Sequence, residues 1–145
     1  MVVTAPNGAR RVADRLGGMV PSDTRFAAIG PRTAVPLLAA GLAVDLIPSR
    51  AVAEGLLEEF PSPPDGAGRV LLACAEVARE VLPDGLRAAG WDVDVVVAYR
   101  NVEPDSDPET LAAARGSDAV VFTADSTVRR YPALARGPTP RSEEP

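Results

Sequence analysis

Short β-rich apolar runs alternate with helical patterns along the first hundred residues, and each run ends in small or turn-forming residues. That alternation restricts the chain to a parallel sheet covered by helices. Strands are expected at Val2 to Ala5, Phe26 to Ile29, Val44 to Ile47, Val70 to Ala73 and Val93 to Ala98. Helices are expected at Gly8 to Leu16, Arg32 to Ala39, Ala51 to Glu59 and Ala78 to Ala88. Five such strands make a small doubly wound, flavodoxin-like α/β sheet with helices on both faces. Gly41 and Gly90 follow helical runs ending in Ala-Ala, where a left-handed residue stops a helix, and Pro31 and Pro83 stand near helix starts or turns.

A chain of 145 residues supports one ordinary core and falls short of two. Alanine, valine and leucine dominate and only 4% of residues are aromatic, which suits a helix-covered parallel sheet better than a β-sandwich. No apolar run has the length of a membrane span, and Met1 to Thr4 pass straight into a strand without signal-peptide features. A cytoplasmic location is therefore expected, with no membrane partner. The net charge of −5 and the scattered arginines argue against a nucleic-acid partner, which would require a basic stripe.

The chain has no histidine and no lysine, and a single cysteine, Cys74. Histidine-dependent nucleophile and acid/base chemistry, Schiff-base chemistry and Cys/His zinc sites are thereby excluded. Arginine, with its planar fork of donors, is the only cationic side chain left to bind carboxylates. Cys74 follows an apolar strand and reads as a small buried filler.

The stretch Phe60 to Gly68 holds three prolines and two glycines and reads as a surface loop. A domain boundary is expected further on, at Asn101 to Pro108. Residues 1–100 then form a nearly complete domain and 101–108 a linker. Residues 109–136 open a second, similar domain with a helix at Glu109 to Arg115 and a strand at Ala119 to Thr123, and 137–145 form a disordered tail. Shifting the chain by 119 positions aligns Val2, Thr4, Ala5, Arg10 and Arg11 with Val121, Thr123, Ala124, Arg129 and Arg130, which suggests a repeat whose second copy is cut short.

Two turns carry the candidate chemistry. Thr4-Ala5-Pro6-Asn7-Gly8 puts a hydroxyl at a strand's carboxyl end and an amide at a helix start, where free N–H groups attract carboxylates. Gly30-Pro31-Arg32-Thr33 repeats the arrangement, with glycine for close approach and arginine for charge. Both fall on the sheet edge where open α/β sheets bind ligands, so a polyanionic small molecule is the expected guest. Thr4, Asn7 and Thr33 also suit helix capping, a role compatible with binding. Arg79 reads as a surface charge paired with Glu76 or Glu80, and Tyr99 ends the fifth strand at the same edge.

Taken in order, these stretches resemble the uroporphyrinogen-III synthase family. The matching segments are Val2 to Ala9, Phe26 to Ala34, Gly41 to Pro48, Ala53 to Leu57, Arg69 to Leu72 with Ala78 to Pro83, Val97 to Arg100, and Val120 to Arg129. The resemblance implies an enzyme of two similar α/β domains, monomeric when complete and without cofactor or metal. Its substrate is hydroxymethylbilane, which it closes to uroporphyrinogen III with inversion of the last pyrrole ring and loss of water. Loss of the hydroxymethyl oxygen gives an azafulvene, attack by the terminal ring gives a spiro intermediate, and reopening and reclosure give the product. On this resemblance Tyr99 assists departure of the hydroxyl, while Thr4, Pro6, Asn7, Gly30, Arg32, Thr33, Thr123 and Ser126 line the substrate cleft. The family usually has serine where Ala5 and Ala124 stand, and often Pro-Arg at Ala73-Cys74. A truncated form of the enzyme is expected, beginning inside its inserted domain. The competing expectation is a noncatalytic tetrapyrrole- or anion-binding module.

Overall fold

The computed structural model describes residues 1–64, 68–102, 107–122, 127–129 and 131, which divide into two compact units, Met1–Asn101 and Val102–Pro145. In the first unit the elements run β1 (Val2–Val3), α1 (Pro6–Leu16), β2 (Ala27–Ala28), α2 (Pro31–Ala39), α3 (Ala53–Glu59), β3 (Arg69–Ala75), α4 (Val81–Ala88) and β4 (Asp92–Tyr99). All strand pairings are parallel, and the sheet order is β2-β1-β3-β4.

The expected third strand, Val44 to Ile47, is reduced to one bridge between Leu46 and Ala27 on the outer side of β2. Its neighbour β2 is itself only two residues long, so there is little ladder to extend. The sheet is thus four-stranded where five strands were expected. Counting the Leu46 segment, the apolar runs lie in the order third, second, first, fourth, fifth, as in the first five strands of the 3-2-1-4-5-6 doubly wound order and unlike the flavodoxin order.

Alternation along the strands splits the interior into two cores. Val2, Ala27, Val70, Leu72 and Val93 turn to one face, where they pack with Leu56 of α3 and Leu82 and Leu86 of α4. Val3, Phe26 and Ala73 turn to the other, against Ala9 and Ala13 of α1 and Leu37 of α2. Helices therefore cover both faces, as the patterning indicated.

Gly41 and Gly90 end α2 and α4 at φ 77° and 93°. In each case a Schellman pair closes the helix. Gly41 N–H donates to the Leu38 carbonyl and Leu42 N–H to Leu37, while Gly90 N–H donates to Arg87 and Trp91 N–H to Leu86, at 2.9–3.1 Å. The residues after the glycines, Leu42 and Trp91, join the two cores. Helix α4 begins at Val81, three residues later than the sequence pattern suggests, because 76–80 form an exposed turn.

In the second unit, α5 (Pro108–Arg115) is capped by Asp107, whose carboxylate accepts from the Glu109 and Thr110 N–H groups. The strand expected at Ala119 to Thr123 does not form over the described residues 119–122, which are exposed and pair with no strand. An isolated apolar run has no ladder to join. Phe122 packs edge-on against Tyr131 at 5.3 Å. Thr123, Ala124, Ser126 and the tail 137–145 lie outside the described residues. No helix among the described residues is long and apolar enough to cross a membrane.

Candidate functional site

Register fixes which residues meet at the carboxyl edge of the sheet. Val3 lies beside Ala28 and Ala73, and Ala75 beside Tyr99. Across the edge the chain therefore presents Ile29-Gly30, Thr4-Ala5, Ala75-Glu76 and Tyr99 in that order. With strands about 4.8 Å apart, Thr4 and Gly30 are neighbours, and Tyr99 stands two strands, about 10 Å, from Thr4.

Helix α1 starts at Pro6, two residues earlier than expected, since proline presets the helical φ at a first position. Its N-cap is Ala5, so no side chain caps the first turn. Asn7 is the second helical residue, exposed, and its Oδ1 accepts from Arg10 rather than from a backbone N–H. Thr4 is half-buried, and its N–H donates to the Ala73 carbonyl at 3.4 Å.

Helix α2 likewise starts at Pro31, with Gly30 as an N-cap that carries no side chain. A Cβ at Gly30 would lie 2.7 Å from the Ala51 Cβ, which is the close approach the sequence suggested. Thr33 is the third helical residue and is buried at 3% exposure, so it supports the turn from within rather than capping it. Arg32 is exposed and has no ion-pair partner among the described residues.

Neither α1 nor α2 has an acidic residue in its first turn, whereas α3, α4 and α5 carry Glu54, Asp84 and Glu109 there. Among the helices that start at this edge, α1 and α2 are the ones whose amino-terminal partial charge is left uncompensated by an acid of their own first turn. Arg10 and Arg32 add positive charge beside them. Glu76, at the end of β3, is held by Arg100 at 3.0 Å, a pair that sequence spacing gives no sign of. Arg79 pairs with Glu54 on α3 at 2.8 Å, not with Glu76 or Glu80.

Tyr99 is half-buried at the end of β4, and its carbonyl accepts from the Glu76 N–H at 3.0 Å. Cys74 is buried in β3, where burial, and secondarily the Glu80 charge, push its thiol above the ordinary range. The thiol is thereby kept protonated and inert. Arg10, which donates to Asn7 Oδ1, joins the candidate residues. Its position in the 119-residue repeat was the one signal that could have found it.

A cleft of about 870 Å³ opens at the opposite, amino-terminal end of the strands, lined in part by Arg25, Asp45, Arg69, Trp91 and Asp94. Its two arginines are already paired: Arg25 with Asp45 at 3.2 Å and Arg69 with Asp94 at 3.0 Å. At the carboxyl edge Arg32 has no ion-pair partner among the described residues, which makes that edge the better candidate for an anion.

The family model described as uroporphyrinogen-III synthase HemD matches residues 1–143. A Methanothermobacter thermautotrophicus protein named as a uroporphyrinogen-III synthase is 37% identical over 116 residues, covering 77% of this chain and 46% of its own length. Uroporphyrinogen-III synthase of Synechococcus elongatus is 32% identical over 139 residues, covering 90% of this chain and 52% of its own. A crystal structure of a mutant uroporphyrinogen III synthase from the extremely thermophilic bacterium Thermus thermophilus superposes with a TM-score of 0.59 at 21% identity, over 92% of this chain and 57% of that one, and bears on the fold. The chain thus spans about half the length of the curated relatives it matches. With nearly every residue covered by the family match and the motifs in family order, this chain belongs to the uroporphyrinogen-III synthase family.

Proposed function

We propose that this chain serves the uroporphyrinogen-III synthase reaction by holding the carboxylates of hydroxymethylbilane along the carboxyl edge of its sheet. The observation that carries the reading is the pair of adjacent helix starts, α1 and α2, with no acid in either first turn and with Arg32 unpaired among the described residues. Free N–H groups near Thr4, Pro6 and Asn7, and again near Gly30 and Thr33, would bind carboxylates without histidine or lysine. Tyr99, two strands away, would donate a hydrogen bond to the departing hydroxyl as the azafulvene forms. Thr123 and Ser126 would complete the lining, from a second α/β domain opened by residues 109–136 after a linker at 101–108. The complete parent fold would be a cytoplasmic monomer with a fifth strand at Val44 to Ile47, needing neither cofactor nor nucleic acid. Holding both ends of the substrate favours attack by the substituted carbon over the simpler unturned closure, so catalysis is chiefly positional.

A second reading follows from length. A chain spanning about half of its relatives can keep the carboxylate edge and lack the rest of the cleft, leaving a noncatalytic tetrapyrrole binder. Offering freshly generated hydroxymethylbilane to the purified chain and resolving the type III and type I products separates the two. Excess type III, reduced by Tyr99→Phe, supports the enzyme. Type I alone with tetrapyrrole binding retained supports the binder, and absence of binding removes both.

A further inference from the structure

The pairing of β3 with β4 is regular from Arg69 beside Asp92 to Cys74 beside Val97, and then it skips a residue. Ala75 lies beside Tyr99, so Ala98 is an extra residue in β4. A bulge of this kind bends its strand and re-aims the side chain that follows. Alternation shows in which direction. Val93 belongs to the core under α3 and α4, and in an unbroken strand Val95, Val97 and Tyr99 would follow it onto that face. Ala73 belongs to the core under α1 and α2, and Ala75 follows it, so pairing with Ala75 moves Tyr99 to the register position of the α1 face. Ala98 packs against that same core, and a Cβ on Gly8, in the first turn of α1, would stand 3.7 Å from the Ala98 Cβ. The bulge thus brings the end of β4 against the start of α1, where the proposed carboxylate site lies.

Two bonds hold the chain together just past the break in register. The Glu76 N–H donates to the Tyr99 carbonyl at 3.0 Å, and the Glu76 carboxylate pairs with Arg100 Nε at 3.0 Å. One residue of β3's end therefore grips both Tyr99 and its successor. The side chains of the pair are exposed by 48% and 68%, so the pair contributes little to global stability, and its place in the fold is the more telling property. We infer that Glu76 and Arg100 are positioning residues for Tyr99, locking the bulge at Ala98 so that the tyrosine is held on the α1 side of the sheet. The inference rests on the reading of Tyr99 as donor to the departing hydroxyl and deepens it. Arg100 acts through Glu76, not as a cation for the substrate.

The full chain labelled with 3-fluorotyrosine provides the test, because it has two tyrosines, Tyr99 and Tyr131, and Tyr99→Phe tells their fluorine NMR resonances apart. Arg100→Glu sets two acids side by side. It should shift the Tyr99 resonance and speed hydrogen exchange of the Glu76 amide about two- to fivefold, the range that an exposed pair can supply. Glu76→Arg combined with Arg100→Glu should return both signals to those of the parent chain, and circular dichroism confirms that each variant folds. A Tyr99 resonance unmoved by Arg100→Glu overturns the inference. So does a double variant that fails to restore it, since the charge at position 100 would then act on its own, and in both cases the reading of Tyr99 as donor stands. Type III product undiminished in Tyr99→Phe is the separate failure: it removes that reading, and the purpose of the lock with it, whatever the resonance shows.

Discussion

At Ala5 the backbone already has the extended conformation of an N-cap, φ −154° and ψ 153°, and only the side-chain acceptor is missing. The family's usual serine would supply it. Ala5→Ser should raise unfolding free energy by about 1 kcal/mol in urea titrations, and an unchanged midpoint would mean that the hydroxyl finds no N–H. Gly30 works by absence of a side chain: Gly30→Ala forces its Cβ to 2.7 Å from Ala51 and should cost about 1–3 kcal/mol. Gly8→Ala is the control. Its Cβ would meet nothing closer than 3.5 Å, so the helix should tolerate it or gain slightly. The value of glycine at positions 30, 41 and 90 was legible in sequence, because turn chemistry is local. The role of Asn7 was not, because Pro6 moved the helix start past it and left its amide to Arg10.

Long apolar runs produced the elements they announce, and short ones depended on neighbours. Val70 to Ala73 and Val93 to Ala98 became full strands because each lies against the other, whereas Val44 to Ile47 faced a two-residue β2 and kept one bridge. Helix α3 shows what sequence conceals. Beside its buried Leu56, the helix is tied down by pairs 8 to 25 residues apart: Ser49 N–H and hydroxyl both donate to Glu59, Arg50 pairs with Glu58, and Arg79 with Glu54. The Ser49 bonds hold the Glu59 carboxyl below its usual range, with the Arg50 charge a lesser cause. The bond from its own N–H, then Arg79, do the same for Glu54. Groups whose folded pKa is depressed contribute stability above the unfolded pKa and lose it as pH falls through the folded value. The melting temperature should therefore decline below about pH 4.5, and Glu59→Gln should flatten part of that decline. A pH profile unchanged by Glu59→Gln would exclude this contribution. On the same face of the sheet, Leu86→Ala in α4 removes a fully buried side chain and should cost about 2–5 kcal/mol in denaturant unfolding.

For the whole molecule, the question is which end of the sheet receives an anion. Concavity favours the amino-terminal end, where the 870 Å³ cleft lies, and unspent charge favours the carboxyl end. Charge should decide, because a carboxylate entering the cleft would have to displace Asp45 from Arg25 or Asp94 from Arg69. At the carboxyl edge, Arg32 and two uncompensated helix starts have no such competitor among the described residues. The sequence foretold which turns share that edge, since strand alternation implies topology. It could not foretell the neutralisation of Glu76 by Arg100, which joins positions 24 residues apart across a β3–β4 register that only the folded chain defines. Fluorescence titration with uroporphyrin III, a stable polycarboxylate macrocycle, tests the choice directly. Affinity should fall with added salt, and Arg32→Ala should weaken it by about 1 kcal/mol, roughly fivefold, whereas Arg25→Ala should leave it nearly unchanged. The reverse pattern would transfer the site to the amino-terminal cleft. Because the carboxyl edge is also where Tyr99 ends β4, that result would separate ligand binding from the residue proposed for chemistry and remove the enzyme reading along with it.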